Sequence, residues 1–189
     1  MLSSDKMSEA EVSLRLALYL LRNGIATSDV SVAIDGAQVK TADQVHFRMA
    51  DFLQAECRIS LGVGTPWQGK YAIADCSSRL VIHSSPGKGD VVAALRDGST
   101  LRVESKKGPL TPSRSSVEYP LLREALGQLL TIDELGPRDQ LAVAVPASSR
   151  FAKLAEKWSQ APLVRQLNLR FLLVGRDGSV TGIPSLRHS

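Results

Sequence analysis

Gly89-Asp90-Val91-Val92-Ala93-Ala94-Leu95-Arg96-Asp97-Gly98-Ser99-Thr100-Leu101-Arg102-Val103-Glu104-Ser105-Lys106 is the stretch whose pairing decides how this chain is organised. Two apolar segments, residues 90–95 and 100–107, flank Arg96-Asp97-Gly98-Ser99, where Gly98 can take the positive φ that a tight turn needs. They read as two antiparallel strands. Side chains two apart share a strand face, so Arg102, Glu104 and Lys106 project together, while Leu101, Val103 and Ser105 point the other way. A two-residue loop of Asp97-Gly98 would pair Asp90 with Ser105, on the wrong face. A type I turn over Leu95-Arg96-Asp97-Gly98 followed by a glycine bulge suits the residues better; it pairs Leu95 with Ser99, and counting back sets Asp90 opposite Glu104.

That register has a chemical consequence. Directly opposed residues on neighbouring strands hold their Cβ atoms about 5 Å apart, close enough for two carboxylates to share one divalent cation. Magnesium, with its preference for hard oxygen ligands, polarises a phosphoryl oxygen and lowers the pKa of a bound water. Lys106 can hold that water or stabilise the charge of the pentacovalent state. An isolated Glu-x-Lys is most often a solvated strand face with cross-strand charge pairing. Here, however, the loop Ser84-Ser85-Pro86-Gly87-Lys88-Gly89 delivers Asp90 to the start of an apolar strand, and the next strand returns Glu104-Ser105-Lys106.

Working outward, residues 8–23 form a helix: Ser8 is the N-cap with Glu11 three residues on, Val12, Leu14, Leu16, Leu18, Leu20 and Leu21 supply a broad apolar face, and Gly24 follows as a stop. Residues 29–39, with alternating Val30, Val32 and Ile34 before Asp35-Gly36, suggest a short hairpin; Thr41 then caps a second helix through about Glu56, with Val45, Phe47, Met49, Phe52 and Leu53 as its stripe. Residues 59–63, 71–74 and 80–83 read as strands separated by Gly, Pro and Ser. After a Pro- and Ser-rich loop at 108–116 come a helix over 117–132, a strand over 141–145, a helix over 149–167 and a strand over 170–174. Strand, helix, strand implies a crossover and a parallel pair. The fold class is therefore α/β, a mixed central sheet flanked by helices. It forms one domain over residues 1–189, with N-terminal helices and a short hairpin in 1–57 and the catalytic core in 58–189.

At 189 residues and 43% apolar, the chain suits a single core. A net charge of +4 leans towards a polyanionic partner without selecting one. Cys57 and Cys76 have neither metal-site spacing nor the density of a disulfide framework, so a reducing compartment and buried thiols are expected. Arg15 and Arg22 interrupt the apolar N-terminal stretch and no run reaches membrane-spanning length, so a cytoplasmic protein with no membrane partner is expected.

Asp90, thirteen intervening residues, Glu104-Ser105-Lys106 and then a helix bearing Gln128 together resemble the PD-(D/E)xK nucleases, the superfamily of restriction endonucleases, Holliday-junction resolvases and many repair nucleases. The resemblance covers roughly residues 80–174. It implies a restriction endonuclease-like core of a helix, three strands, a second helix and a further strand, the order from Leu80 onward supplying all but the first helix. It implies that Asp90 and Glu104 ligate Mg2+, with Mn2+ as a substitute, helped by the backbone carbonyl of Ser105. Lys106 would activate or position the attacking water. Gln128 resembles the glutamine that several relatives place near the metal, and is equally readable as a plain surface residue. Glycine, Gly89, stands where the family name has proline. Some relatives add an acid from the first helix; Glu9, Glu11 and Glu56 all sit on candidate helices, each more simply read as a solvated charge. DNA is the implied substrate and partner, and a homodimer is compatible with the family. The alternative is a nuclease-shaped module that binds nucleic acid or a partner protein without cutting, against which the joint presence of Asp90, Glu104 and Lys106 argues; an unrelated α/β domain is the third reading.

Other signals are weaker. Gly64-Thr65-Pro66-Trp67-Gln68-Gly69-Lys70-Tyr71 nearly spells a phosphate-binding loop, but Tyr71 replaces the hydroxyl residue that must touch magnesium and extended rather than helical residues follow. Pro86-Gly87-Lys88-Gly89 opens a strand, which leaves it to set the angle of Asp90. Lys88, Lys107, Arg114 and Arg123, with Arg102 and Lys106, outnumber Glu118 and Glu124 around the site, as phosphate contacts require; the first four are the expected nucleic-acid-binding residues. Trp67 and Tyr119 are read as core aromatics rather than base-stacking ones. His46, His83 and His188 lack ligand spacing, and no nucleophile elbow or Cys–His pairing suggests covalent catalysis.

Overall fold

Helix α1 (Glu9–Arg22) begins where the Ser8 side chain accepts a hydrogen bond from the Glu11 N–H at 3.1 Å, with Glu9 and Glu11 in its first turn and Arg22 in its last. Val12, Leu14, Leu16, Ala17 and Leu20 on this helix are fully buried. Each large side chain so buried contributes about 1.5–3 kcal/mol, which is why the helix lies across the sheet and not beside it.

The computed structural model describes residues 5–34, 39–41, 44–57, 67–111 and 116–183. Around α1 the chain order is β1 (Lys6–Met7), β2 (Val30–Ala33), β3 (Val39–Thr41), β4 (Gln44–Phe47), α2 (Met49–Glu56), β5 (Gly69–Tyr71), β6 (Leu80–His83), β7 (Val91–Ala94), β8 (Thr100–Ser105) and β9 (Gly108–Pro109). Then follow α3 (Glu118–Leu129), β10 (Asp139–Pro146), α4 (Ser149–Ser159), α5 (Pro162–Gln166), β11 (Arg170–Val174) and β12 (Val180–Thr181). The protein is mixed α/β: eight strands form one mixed sheet in the order β12-β11-β10-β8-β7-β2-β6-β5. The expected crossover is present, with β10 parallel to β11 and to β8.

Strand β10 explains the layering. Its apolar run is buried on both sides, Ala142 and Ala144 packing with α1 and Val143 and Val145 packing with Leu122, Ala125 and Leu129 of α3 and Phe151 of α4. By the same alternation, Leu101 and Val103 of β8 and Val91 and Ala93 of β7 face α1. Glu104 therefore lies on the α3 side, and Asp90 sits just before β7.

The turn joining β7 and β8 is the three-residue one. Gly98 has φ +76°, the Leu95 N–H donates to Ser99 O at 2.8 Å, and Val91 pairs with Val103 and Ala94 with Thr100. The ladder ends at Val91, and Asp90, one residue earlier, donates its N–H to Val103 O and not to Glu104.

Four sequence expectations need correction. Strand β2 does not form a hairpin with β3; it lies inside the sheet, antiparallel to β7 and parallel to β6. Alternation in Val30 and Val32 marked a strand but carried no information on its partner. Thr41 caps no helix: β3 and β4 pair antiparallel and α2 starts at Met49. The period-two placing of Val45 and Phe47 was extended structure before the helical period took over. The helix over 149–167 is two helices, because Ala161, preceding Pro162, is extended at φ −64°, ψ 134°. The strand beside β7 is β2 and not the one at Leu80, so the N-terminal segment is built into the central sheet. In addition, the strand expected at 71–74 lies at Gly69–Tyr71. Residues 59–63, Asp35-Gly36, Arg114 and His188 lie outside the described residues, as does the first part of the Gly64-to-Tyr71 motif; the side chain of His46 is likewise outside them.

Cys57 is buried and Cys76 half-buried; both are free thiols. Among the described residues no helix is long and apolar enough to cross a membrane.

Candidate metal centre

Asp90 is clamped by the backbone on both sides. Its N–H donates to Val103 O at 2.8 Å and its carbonyl accepts from the Ala33 N–H at 2.8 Å, so β8 and β2 fix it between them. Gly89 makes this approach possible. Its φ is +96°, and a Cβ there would lie 3.1 Å from the Val103 carbonyl oxygen. Proline, whose ring holds φ near −65°, could not adopt that backbone. Asp90 Oδ2 then accepts a hydrogen bond from the Ser105 N–H at 2.7 Å.

Glu104 and Lys106 project to the same place, as their two-residue spacing requires. Lys106 Nζ donates to Glu104 Oε1 at 3.1 Å and lies 3.5 Å from carboxylate oxygens of both Glu9 and Glu124. The Lys106 side chain is only 3% exposed. Arg102 belongs to the same face, but its Nε donates to Asp139 Oδ2 at 2.6 Å, holding it on β10 and away from the acids.

The first helix supplies the third acid. Glu9 offers a carboxylate oxygen that, with one each from Asp90 and Glu104, forms a cluster whose atoms all lie within 4.8 Å of one another. The other two helical acids are spoken for: Glu11 bonds Arg15 and Arg176, and Glu56 bonds Arg22. Sequence left Glu9, Glu11 and Glu56 level because all three are one-residue signals on helices; only the placement of α1 against β7 and β8 separates them.

Electrostatics agree with the geometry. Burial, then the neighbouring Glu104 carboxylate, push Asp90 up to about 7, against the lowering effect of the Ser105 N–H. Glu104 is also raised, burial outweighing the pull of Lys106. For Lys106, burial by itself lowers the value, but Glu9 and Glu104 more than offset it and the net shift is upward, so the ammonium stays protonated. One cation thus serves several carboxylates. Three hard oxygen donors, incompletely neutralised and half withdrawn from water, fit a divalent cation.

The cluster opens into a cleft of about 590 Å3. Ala10, Ser13, Ile34, the loop from Ser84 to Gly87, Lys107, Gln128 and Thr131 line it with the acids. Gln128 therefore faces the site from α3, and Lys107 does so from the end of β8. Lys88 is not among the lining residues; it stands 3.9 Å from Glu134. Arg123 is exposed and lies over the Tyr119 ring at 5.9 Å, away from the cleft. The assignment of these two to the site from sequence counted charge along the chain, and a helix or loop turns most of its charges elsewhere. Tyr119 is 47% exposed, not core; its ring meets Trp158 edge-on at 5.2 Å. Trp67 packs partly buried against the core.

Glu124, treated in the sequence only as a surface acid, is the residue that pattern reading missed. Its spacing of four from Gln128 on α3 is the signal that could have found it, since residues so separated share a helix face.

The remaining polar pair near the cleft does not support covalent catalysis. Ser31 Oγ and His83 Nε2 are 2.7 Å apart, but His83 Nδ1 accepts from the Ser85 N–H. A neutral ring then carries its proton on Nε2 and donates to Ser31, so it cannot act as that serine's base. The chain matches no protein-family model, no curated protein and no solved structure.

Proposed function

We propose that this chain is a magnesium-dependent nuclease that hydrolyses phosphodiester bonds, with DNA the preferred substrate. The observation that carries the reading is the convergence of Glu9, Asp90 and Glu104 within 4.8 Å, with the Lys106 ammonium 3.1 Å from Glu104. The sequence α1-β2-β7-β8-α3-β10, a helix, three antiparallel strands, a helix and a parallel strand, supports it further, because it follows the order of the restriction endonuclease-like core. β3, β4, α2, β5 and β6 then form an insertion between the first two core strands.

Glu9, Asp90 and Glu104 would hold the cation, and the Ser105 N–H fixes the rotamer of Asp90. When bound, Mg2+ supplies Lewis-acid polarisation of a phosphoryl oxygen and a more acidic water. Lys106, with its pKa raised, contributes as a charged hydrogen-bond donor: it orients the water and offsets negative charge developing on the phosphate, and does not serve as the base. Lys107, exposed at the cleft, would meet a phosphate, and Gln128 would donate or accept a hydrogen bond at its rim.

The test is a cleavage assay on linear, supercoiled, single-stranded and branched DNA with Mg2+, Mn2+ or a chelator, comparing wild type with Asp90→Ala and Lys106→Ala. Metal-dependent cleavage lost in both variants is expected. Cleavage surviving both substitutions unchanged refutes the assignment.

A further inference from the structure

Lys106 is held by more acids than one ammonium needs. Its Nζ lies 3.1 Å from Glu104, 3.5 Å from Glu9 and 3.5 Å from Glu124. Two of these three, Glu104 and Glu9, belong to the cluster proposed to bind the cation, and Glu124 does not. The ammonium therefore contacts the same carboxylates that a dication would use.

Two cations cannot share those oxygens without repelling each other. A buried ammonium is also costly to leave without a partner, because an unpaired buried charge is strongly disfavoured. Resting on the reading of the cluster as a divalent-cation site, we propose that Glu124 is a positioning residue: it receives the Lys106 ammonium when the dication takes Glu9 and Glu104. Lys106 then remains charged, fixed and beside the metal. Glu124 suits this role because it comes from α3, on an element that supplies none of the three cluster acids, and because its side chain is 58% exposed, so that it can turn with little loss of packing.

The arrangement predicts a coupling between Glu124 and Lys106 in metal affinity itself. Titration calorimetry with Mn2+ on the full chain would compare wild type, Glu124→Gln, Lys106→Met and the double variant. If Glu124 acts through Lys106, Glu124→Gln weakens Mn2+ binding roughly tenfold in the wild-type background and much less in the Lys106→Met background. If Glu124 only adds negative field, the loss is the same in both backgrounds, and the proposal is overturned. A readout that leaves Lys106 in place is the 1H–15N signal of its ammonium: on saturation with Mg2+ it persists in wild type and is broadened away by solvent exchange in Glu124→Gln. Its persistence in both also overturns the proposal. A wild-type protein that binds no Mn2+ would overturn the cation site and this inference together, whereas binding without coupling overturns this inference alone.

Discussion

Asp90, one residue before β7, and Glu104 on β8 bring carboxylate oxygens within 4.8 Å of one another. Two acids so placed, partly buried and served by a single lysine, repel each other when both are ionised.

That repulsion has a pH signature. The folded-state pKa of Asp90, about 7, lies above the ordinary carboxylate value of an unfolded chain, so the folded protein binds the extra proton between about pH 4 and pH 7. Stability of the chelated protein therefore falls as pH rises through that window, by at most on the order of 4 kcal/mol from this group. Asp90→Asn, which keeps the shape and removes the charge, should melt higher than wild type at pH 8 in chelator and depend less on pH. Added Mg2+ should raise the wild-type melting temperature at pH 8 far more than at pH 5. Calorimetric scans with and without metal check all three.

Glu9 and Glu11 are neighbours in sequence with different work. Glu9→Gln removes a proposed ligand and should weaken Mn2+ binding by roughly tenfold, about 1.4 kcal/mol, while leaving stability in chelator intact or improved. Glu11 is 4% exposed and bonds Arg15 and Arg176. Glu11→Gln should cost about 2 kcal/mol of stability and leave metal affinity unchanged, since it removes the carboxylate charge shared by Arg15 and Arg176 without touching the cluster. Denaturant melts and metal titrations on the pair separate the two roles.

A proline at position 89 should harm this chain. Gly89→Pro forces φ to a value the loop cannot take and should destabilise by about 3 kcal/mol or more, with loss of metal binding as Asp90 leaves its place between β2 and β8. Gly89→Ala should do the same to a lesser degree. Retention of wild-type stability and Mn2+ affinity in Gly89→Pro would contradict the backbone argument.

Lys107 and Arg123 were equal in sequence and are unequal in space. Lys107→Ala should weaken binding of catalytically blocked protein to DNA and reduce the salt dependence by about one ion. Arg123→Ala, directed at Tyr119, should change neither. Binding isotherms at several salt concentrations decide.

The core of this site was legible because short-range rules governed it. The glycine at position 98 chose the turn, the turn chose the register, and the register brought Asp90 and Glu104 to the same end of the ladder, with Lys106 following from strand alternation. Capping by Ser8 gave α1, and the apolar run of β10 gave a strand buried on both faces. What escaped depended on contacts distant in sequence. Nothing in Val30 and Val32 says that β2 slots between β6 and β7, and nothing in Glu9 distinguishes it from Glu11 until α1 is laid on the sheet. Glu124 escaped for the same reason, since its partner is eighteen positions away on a different element. The helix expected from Thr41 failed on a local competition, in which two apolar periods overlap at Phe47 and Met49.

The central claim is that Glu9, Asp90 and Glu104 form one divalent-cation centre, and anomalous diffraction from crystals soaked in Mn2+ tests it most directly. The account predicts a strong peak within coordination distance of Asp90 and Glu104 in wild type, and none there in Asp90→Ala. A fully soaked wild-type crystal with no peak at these carboxylates, or with its Mn2+ bound elsewhere, would contradict it.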